Sequence, residues 1–207
     1  MEKRFWIIVG VIAVLFLGFL YFGNGKDEGG PGNNGGKAAS ASNHVKGKLD
    51  SKVTLVEYGD FQCPICGVYY PTVTQVVEKY QDKIKFQFRN LPLTQIHQNA
   101  FAAARAAEAA SEQGKFWEMY DLLFANQQSW SSSTSASTIF KQYASQLGLD
   151  KTKFDKAFAS DTVNKIINAD VAEYKKTKEQ MATPAFFLNG TKLETTNLVG
   201  PDGNPSL

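Results

Sequence analysis

Cysteine and histidine are scarce, with two of each in 207 residues. Zinc normally takes four protein ligands, or three with an open position. Beyond Cys63 and Cys66 only His44 and His97 are on hand, so a metal site would have to recruit carboxylates, and none is expected. A surplus of one charge is also missing. Twenty-two Lys and Arg face 20 Asp and Glu, a net charge of +2, and no basic stripe with interleaved aromatics occurs, so nothing argues for a nucleic-acid partner. No internal repeat is present, which excludes a solenoid. Long apolar runs are absent too, with one exception.

The exception is FWIIVGVIAVLFLGFLYF, uncharged from Phe5 to Phe22. As a helix rising about 1.5 Å per residue it extends about 27 Å, close to the ~30 Å hydrocarbon core of a bilayer. A cleaved signal peptide has a shorter apolar region, about 7 to 15 residues. The A-x-A-like site, Ala39-Ser40-Ala41, lies far beyond the run. A core helix is seldom apolar all round at the extreme terminus. Residues 5–22 are therefore read as an uncleaved transmembrane anchor. Lys3 and Arg4 precede the span, so residues 1–4 are read as cytoplasmic and the C-terminal bulk as extracytoplasmic, a side that permits disulfides. Gly23 to Lys48 is rich in Gly, Asn and Ser and reads as a flexible linker with a reach of roughly 25 to 30 Å.

Residues 49–207 carry the pattern of one folded unit. VTLVEY, Val53 to Tyr58, is β-branched and aromatic and ends at Gly59-Asp60, a strand signal. Tyr69, Val73, Val76, Val77 and Tyr80 recur at helical spacing. Cys63-Pro64-Ile65-Cys66 thus falls where a strand hands over to a helix, and Pro71 is expected to kink that helix. KIKFQFR, Lys83 to Arg89, alternates as a half-buried strand does. Helices are expected over Asn99 to Glu112, with Gly114 as C-cap, and around Phe116, Met119, Tyr120, Leu123 and Phe124. Further helical spacing occurs at Ile139, Tyr143 and Leu147, after a cap at Asp150, and after Asp161. Ser-rich Gln127 to Thr138 reads as a loop. AFFL, an Asn189-Gly190 turn and TKLETT suggest a hairpin. The order fits an α/β protein whose four-element sheet is interrupted by a helical insert at about 97–178.

Two thiols three positions apart can hold a metal, form a structural disulfide, or exchange disulfides. A structural bridge over a two-residue gap constrains little of the unfolded chain. For exchange the position is favourable. Unpaired N–H groups and the positive end of the macrodipole stabilise a thiolate at Cys63, whereas Cys66, one turn further in, is more buried and less acidic. Cys63 is then the exposed, attacked sulfur and Cys66 the resolving one.

VEYGDFQCPIC, Pro71 five positions after Cys66, FRNLPL followed by His97, AFAAARAAEAASEQGKFWEMYDLLF and MATPAFFLNG together resemble the DsbA-like branch of the thioredoxin superfamily over roughly Val53 to Val199. The resemblance implies a thioredoxin fold with an inserted helical domain, a catalytic disulfide between Cys63 and Cys66, and a cis peptide at Thr183-Pro184 facing it. There Thr183 would offer backbone groups to a substrate peptide. It places Glu57 as an acidic residue under the site, able to take or return the Cys66 proton; a solvent-facing strand glutamate is the alternative. His97 reads as a loop or core residue. Pro64 and Ile65 form the dipeptide that tunes the pair. Ile65 stands where the strongest oxidants of this branch have histidine, so a weaker oxidant is expected. Relatives usually continue into another helix after the hairpin, so one sheet face is expected to be less covered or closed differently.

The resulting expectation is a membrane-anchored thiol:disulfide oxidoreductase, monomeric and without a bound cofactor, that introduces disulfides into exported proteins. By resemblance it is reoxidised by a quinone-linked membrane enzyme of the DsbB or vitamin K epoxide reductase type. The alternatives are a reductase or isomerase using the same pair, and a non-catalytic peptide-binding module.

Overall fold

Five strands form one mixed sheet in a computed structural model that describes residues 40–194, 198–200 and 204–205. They are β1 His44–Gly47, β2 Val53–Gly59, β3 Ile84–Asn90, β4 Ala185–Leu188 and β5 Thr191–Lys192, in the spatial order β1-β3-β2-β4-β5. The expected span at 5–22 and the linker before residue 40 lie outside the described residues. Among the described residues no helix is long and apolar enough to cross a membrane.

Strands β2 and β3 run parallel, and the other three pairings are antiparallel. A parallel pair needs a crossover, supplied here by helix α1, Pro64–Lys79. Phe86 and Phe88 alternate into the core from β3. Pro71 lies inside α1, which continues through it to Lys79. Asn189 and Gly190 both have positive φ, 50° and 83°, as a two-residue type I′ hairpin turn requires. The returning strand is only Thr191–Lys192, shorter than the TKLETT run suggests.

Between β3 and β4 come six helices: α2 Ala100–Ser111, α3 Phe116–Ala125, α4 Gln127–Trp130, α5 Ala136–Gln146, α6 Lys151–Phe158 and α7 Asp161–Lys176. Helix α2 is the hub, packing against α3, α5, α6 and α7. Its buried Ala103, Ala106, Ala107 and Ala110 allow neighbouring helices to approach closely. Asp150 caps α6 by accepting from the Lys153 N–H at 2.8 Å. At α7 the cap is Ser160, which accepts from the Val163 N–H, and Asp161 is the first helical residue.

Two expectations need correction. Gln127 to Thr138 is not all loop, because α4 and the start of α5 occupy its ends. The reason is Trp130, fully buried, which donates its indole N–H to Leu123 O at 2.9 Å and meets the Phe140 ring edge-on. One large aromatic outweighs the polar residues around it. The second correction concerns the linker. His44–Gly47 is an edge strand antiparallel to β3, so the sheet has five strands and the folded unit starts before residue 49. The strand is held by polar anchors rather than by apolar side chains. Ser42 donates both its N–H and its hydroxyl to Asp170 on α7, at 2.8 and 2.7 Å. His44 Nε2 lies 2.8 Å from Glu108 Oε1 on α2, and its ring stacks on Phe116.

The described C-terminal residues lie against α1. Leu198 joins the core, Tyr69 donates to Leu198 O at 3.3 Å, and Thr72 donates to Pro205 O at 3.4 Å. A cleft of about 230 Å³ lined by Leu55, Val76, Tyr80, Leu188 and Leu198 remains on that side.

Candidate active site

The turn from β2 into α1 is fixed by its own backbone and by two distant side chains. The Asp60 carboxylate, buried, accepts from the N–H groups of Gln62 (2.8 Å) and Leu93 (2.9 Å) and pairs with His97 Nδ1 at 2.6 Å. Cys63 N–H donates to Asp60 O at 3.0 Å. Gly59 is required on steric grounds, because a Cβ there would lie 2.4 Å from the Phe88 ring. From the helical layer, Gln127 donates its side-chain amide to Phe61 O (2.7 Å) and Cys63 O (2.9 Å). The cysteine loop is thus clamped from the sheet side and the helix side together.

Cys63 is the N-cap of α1, with extended backbone and no side-chain cap bond, and Pro64 is the first helical residue. Proline tolerates that place because its missing N–H would be unpaired there anyway. The two sulfurs are thiols in this structure. The Cys63 pKa is lowered to about 6. The largest cause is a hydrogen bond from the Cys66 thiol; burial opposes it, and the Thr183 side chain and the N–H groups of Cys66 and Ile65 add to it. Cys66 is raised, chiefly by burial and then by its hydrogen bond to Cys63. One pair therefore holds an acidic outer thiol and a reluctant inner one.

The expected exposure of the outer sulfur needs correction. Cys63 is 6% exposed and Cys66 fully buried, so the asymmetry survives but neither sulfur projects into solvent. The cover over Cys63 is the segment before β4, whose Thr183-Pro184 peptide is cis. Cys63 Sγ lies 3.4 Å from Thr183 O, a contact that a thiol makes as donor and a thiolate cannot. The Thr183 hydroxyl has no partner of normal geometry, which leaves it free to turn towards the anion. Ile65 and Val68, in the first turns of α1, are more than half exposed. Ile65 brings no polar side-chain atom to Cys63.

Glu57 lies on β2, opposite Phe88 of β3 and Phe186 of β4. It is 1% exposed, so the solvent-facing alternative is excluded, and its charge acts on Cys66. Burial pushes its pKa up to about 8, against a lowering by the Tyr120 hydroxyl. Three contributors escaped the sequence reading. In the sequence Tyr120 falls on an apolar helix face, Gln127 in a Ser-rich run, and Asp60 at the end of a strand signal. Only Asp60 carries a local signal, since an Asp side chain commonly closes a turn by accepting from the backbone N–H two residues on, as it does here from Gln62.

Beside Pro64, Gly67 and Val68 a groove of about 780 Å³ opens towards α4, with Gln62, His97 and Ser131 along it. Among the described residues no group of three His, Cys, Asp or Glu is placed to hold a metal ion.

A family model described as thioredoxin matches residues 39–199. Among curated proteins, the Na(+)/H(+) antiporter NhaA 3 of Salinispora tropica is 39% identical over 154 residues, covering 72% of this chain and 22% of the antiporter. The chain therefore spans about a fifth of the length of the curated relatives it matches. Among solved structures, a thioredoxin-like oxidoreductase from Silicibacter pomeroyi superposes with a TM-score of 0.62 at 25% identity, covering 75% of this chain and 87% of that one. Pseudomonas aeruginosa DsbA2 superposes with a TM-score of 0.58, also at 25% identity, covering 74% and 86%. The chain belongs to the thioredoxin family and is similar in fold to DsbA-like oxidoreductases.

Proposed function

We propose that the protein introduces disulfide bonds into reduced exported proteins, working outside the cytoplasm on a tether from the apolar anchor at 5–22. The observation that carries this reading is the asymmetry of the pair, with Cys63 lowered to about 6 and Cys66 raised by burial. In the oxidised form a substrate thiolate attacks Cys63 Sγ, the Cys63–Cys66 bond breaks, and the electron pair leaves on Cys66. A second substrate thiolate then attacks the substrate sulfur of the mixed disulfide and expels Cys63 as the stable thiolate. The two electrons end on the dithiol, so no bound cofactor is needed. Thr183 and Pro184, lying over Cys63, are assigned to holding the peptide, Pro64 and Ile65 to tuning the pair, and Glu57 to carrying the Cys66 proton.

The size of the thiolate effect sets the expected strength. At pH 7 a pKa of about 6 favours the reduced form by at most about 1.4 kcal/mol over an unperturbed thiol, which is about 30 mV for two electrons. Solvent screening near the surface trims it further. The strongest oxidants of this chemistry lie about 150 mV above thioredoxin, so this one belongs well below them. Reoxidation falls to a quinone-linked membrane enzyme of the DsbB or vitamin K epoxide reductase type. The likeness to the antiporters covers too little of them to suggest ion transport.

That modest thiolate effect also favours the second reading, a reductase or isomerase, and a potential separates the two. Equilibration with glutathione is expected to place the couple between about −270 mV, the thioredoxin value, and about −120 mV, with efficient oxidation of a reduced, unfolded protein. A value at or below that of thioredoxin overturns the oxidase reading and selects the reductase.

A further inference from the structure

Gly67 directly follows Cys66 inside α1, and its φ is not positive. Only proline suits a helix interior less well than glycine, so the missing side chain calls for a reason. The Gln127 amide supplies one: a Cβ on Gly67 would lie 2.6 Å from Gln127 Oε1, 3.1 Å from its Cδ and 3.2 Å from its Nε2. That amide comes from the first residue of α4, whose Trp130 is fully buried. Gln62 ties the same stretch back to the cysteine loop by donating to Ser131 O at 2.8 Å. An amide nitrogen carries two hydrogens, and Gln127 Nε2 has two acceptors, Phe61 O at 2.7 Å and Cys63 O at 2.9 Å. The second matters for the sulfur. The peptide between Cys63 and Pro64 has no N–H, so hydrogen bonds can hold it only through its oxygen, which accepts from Gln127 and from the Gly67 N–H at 3.1 Å. Its orientation sets the ψ of Cys63, 120°. That angle decides how the sulfur stands over the first turn of α1, where the N–H groups of Ile65 and Cys66 stabilise the anion.

We propose that Gln127 is a positioning residue for disulfide exchange, holding the Cys63-Pro64 peptide so that the outer sulfur keeps its place over the first turn of α1, and that Gly67 leaves the room it needs. The inference rests on exchange at Cys63 and Cys66 but not on its net direction. Gln127 acts through the backbone, since its amide hydrogens run to two carbonyl oxygens. Without them the Cys63 carbonyl keeps only the Gly67 N–H, and the peptide it belongs to can rotate. The sulfur then leaves the line of the Ile65 and Cys66 N–H groups for part of the time, and its thiolate is less well stabilised. Because α4 belongs to the helical insert, the insert in this way sets the reactivity of a cysteine carried by the β2–α1 turn.

Gln127→Met keeps the length of the side chain and removes its donors. Gly67→Ala keeps Gln127 but pushes its amide aside. In each variant the Cys63 thiolate titration is expected to move up by about half a pH unit to one unit. Starting from about 6, that lowers the equilibrium constant for reduction of the protein by glutathione at pH 7 about three- to fivefold. The groups that face Cys63, which are the Cys66 thiol, the Thr183 side chain and the N–H groups of Ile65 and Cys66, are intact in both variants, so the shift reports position. The double variant should match the single ones, because either change alone removes the clamp. Alanine suits a helix interior better than glycine, so Gly67→Ala should hold its urea midpoint while its titration moves. A titration unmoved in either variant, additive shifts in the double variant, or lost stability with an unmoved titration would each overturn the assignment. A wild-type Cys63 that titrates at the ordinary thiol value would instead remove the acidic sulfur itself, and the assignment with it.

Discussion

Replacing Cys63 by serine should reduce thiol-disulfide exchange to the uncatalysed level. With its pKa near 6 the Cys63 sulfur is about nine-tenths thiolate at pH 7, while Cys66 stays protonated because burial raises it. A serine hydroxyl offers neither the anion nor a sulfur to be attacked, and Cys66 is too buried to take over. Cys66→Ser should behave differently. Cys63 would still attack substrate disulfides, but the mixed disulfide would have no internal thiol to resolve it and would accumulate. Exchange assays and trapping on a non-reducing gel check both outcomes. Full biological activity in Cys63→Ser would favour a peptide-binding module with idle cysteines.

The second large effect lies away from the cysteines. Asp170→Ala should destabilise the domain by about 3 to 5 kcal/mol, the range for breaking a buried ion pair by removing one partner. Asp170 is fully buried and accepts from Ser42 N–H and hydroxyl, Arg89 Nη1 at 3.1 Å, and Asn90 N–H and side-chain amide at 2.9 and 3.1 Å. It joins α7 to β3 and to the segment entering β1. Without it the Arg89 charge and the Asn90 N–H lose their partner, and the first strand loses the anchor that pins it. Urea unfolding should show the midpoint falling with little change in slope. A loss below about 1 kcal/mol would mean that the network is relaxed by water or rearrangement.

The same network explains what the sequence concealed. Local chemistry made the core of the site legible: a β-branched run ending at Gly59, Pro64 at the first turn of a helix, and Asn189-Gly190 between apolar strands each act on their immediate neighbours. Strand β1 had no such signal, because HVKG is polar and its stability comes from Asp170 and Glu108, 128 and 64 positions away in the chain. Trp130 was hidden among serines for a related reason, since its burial depends on Phe140 from another helix. Tyr120 looked like one more apolar-face residue. Only the folded chain shows that its hydroxyl ends beside Glu57. The burial of Cys63 was missed because the Thr183 segment that covers it comes from 120 positions away.

The account rests on an outer sulfur that is readily anionic, and an ultraviolet titration of thiolate absorbance in the reduced protein measures that directly. It predicts one thiolate half-formed near pH 6, lost in Cys63→Ser, with the second thiol ionising only far into the alkaline range. A first ionisation at the ordinary thiol value of about 8.5 would contradict it.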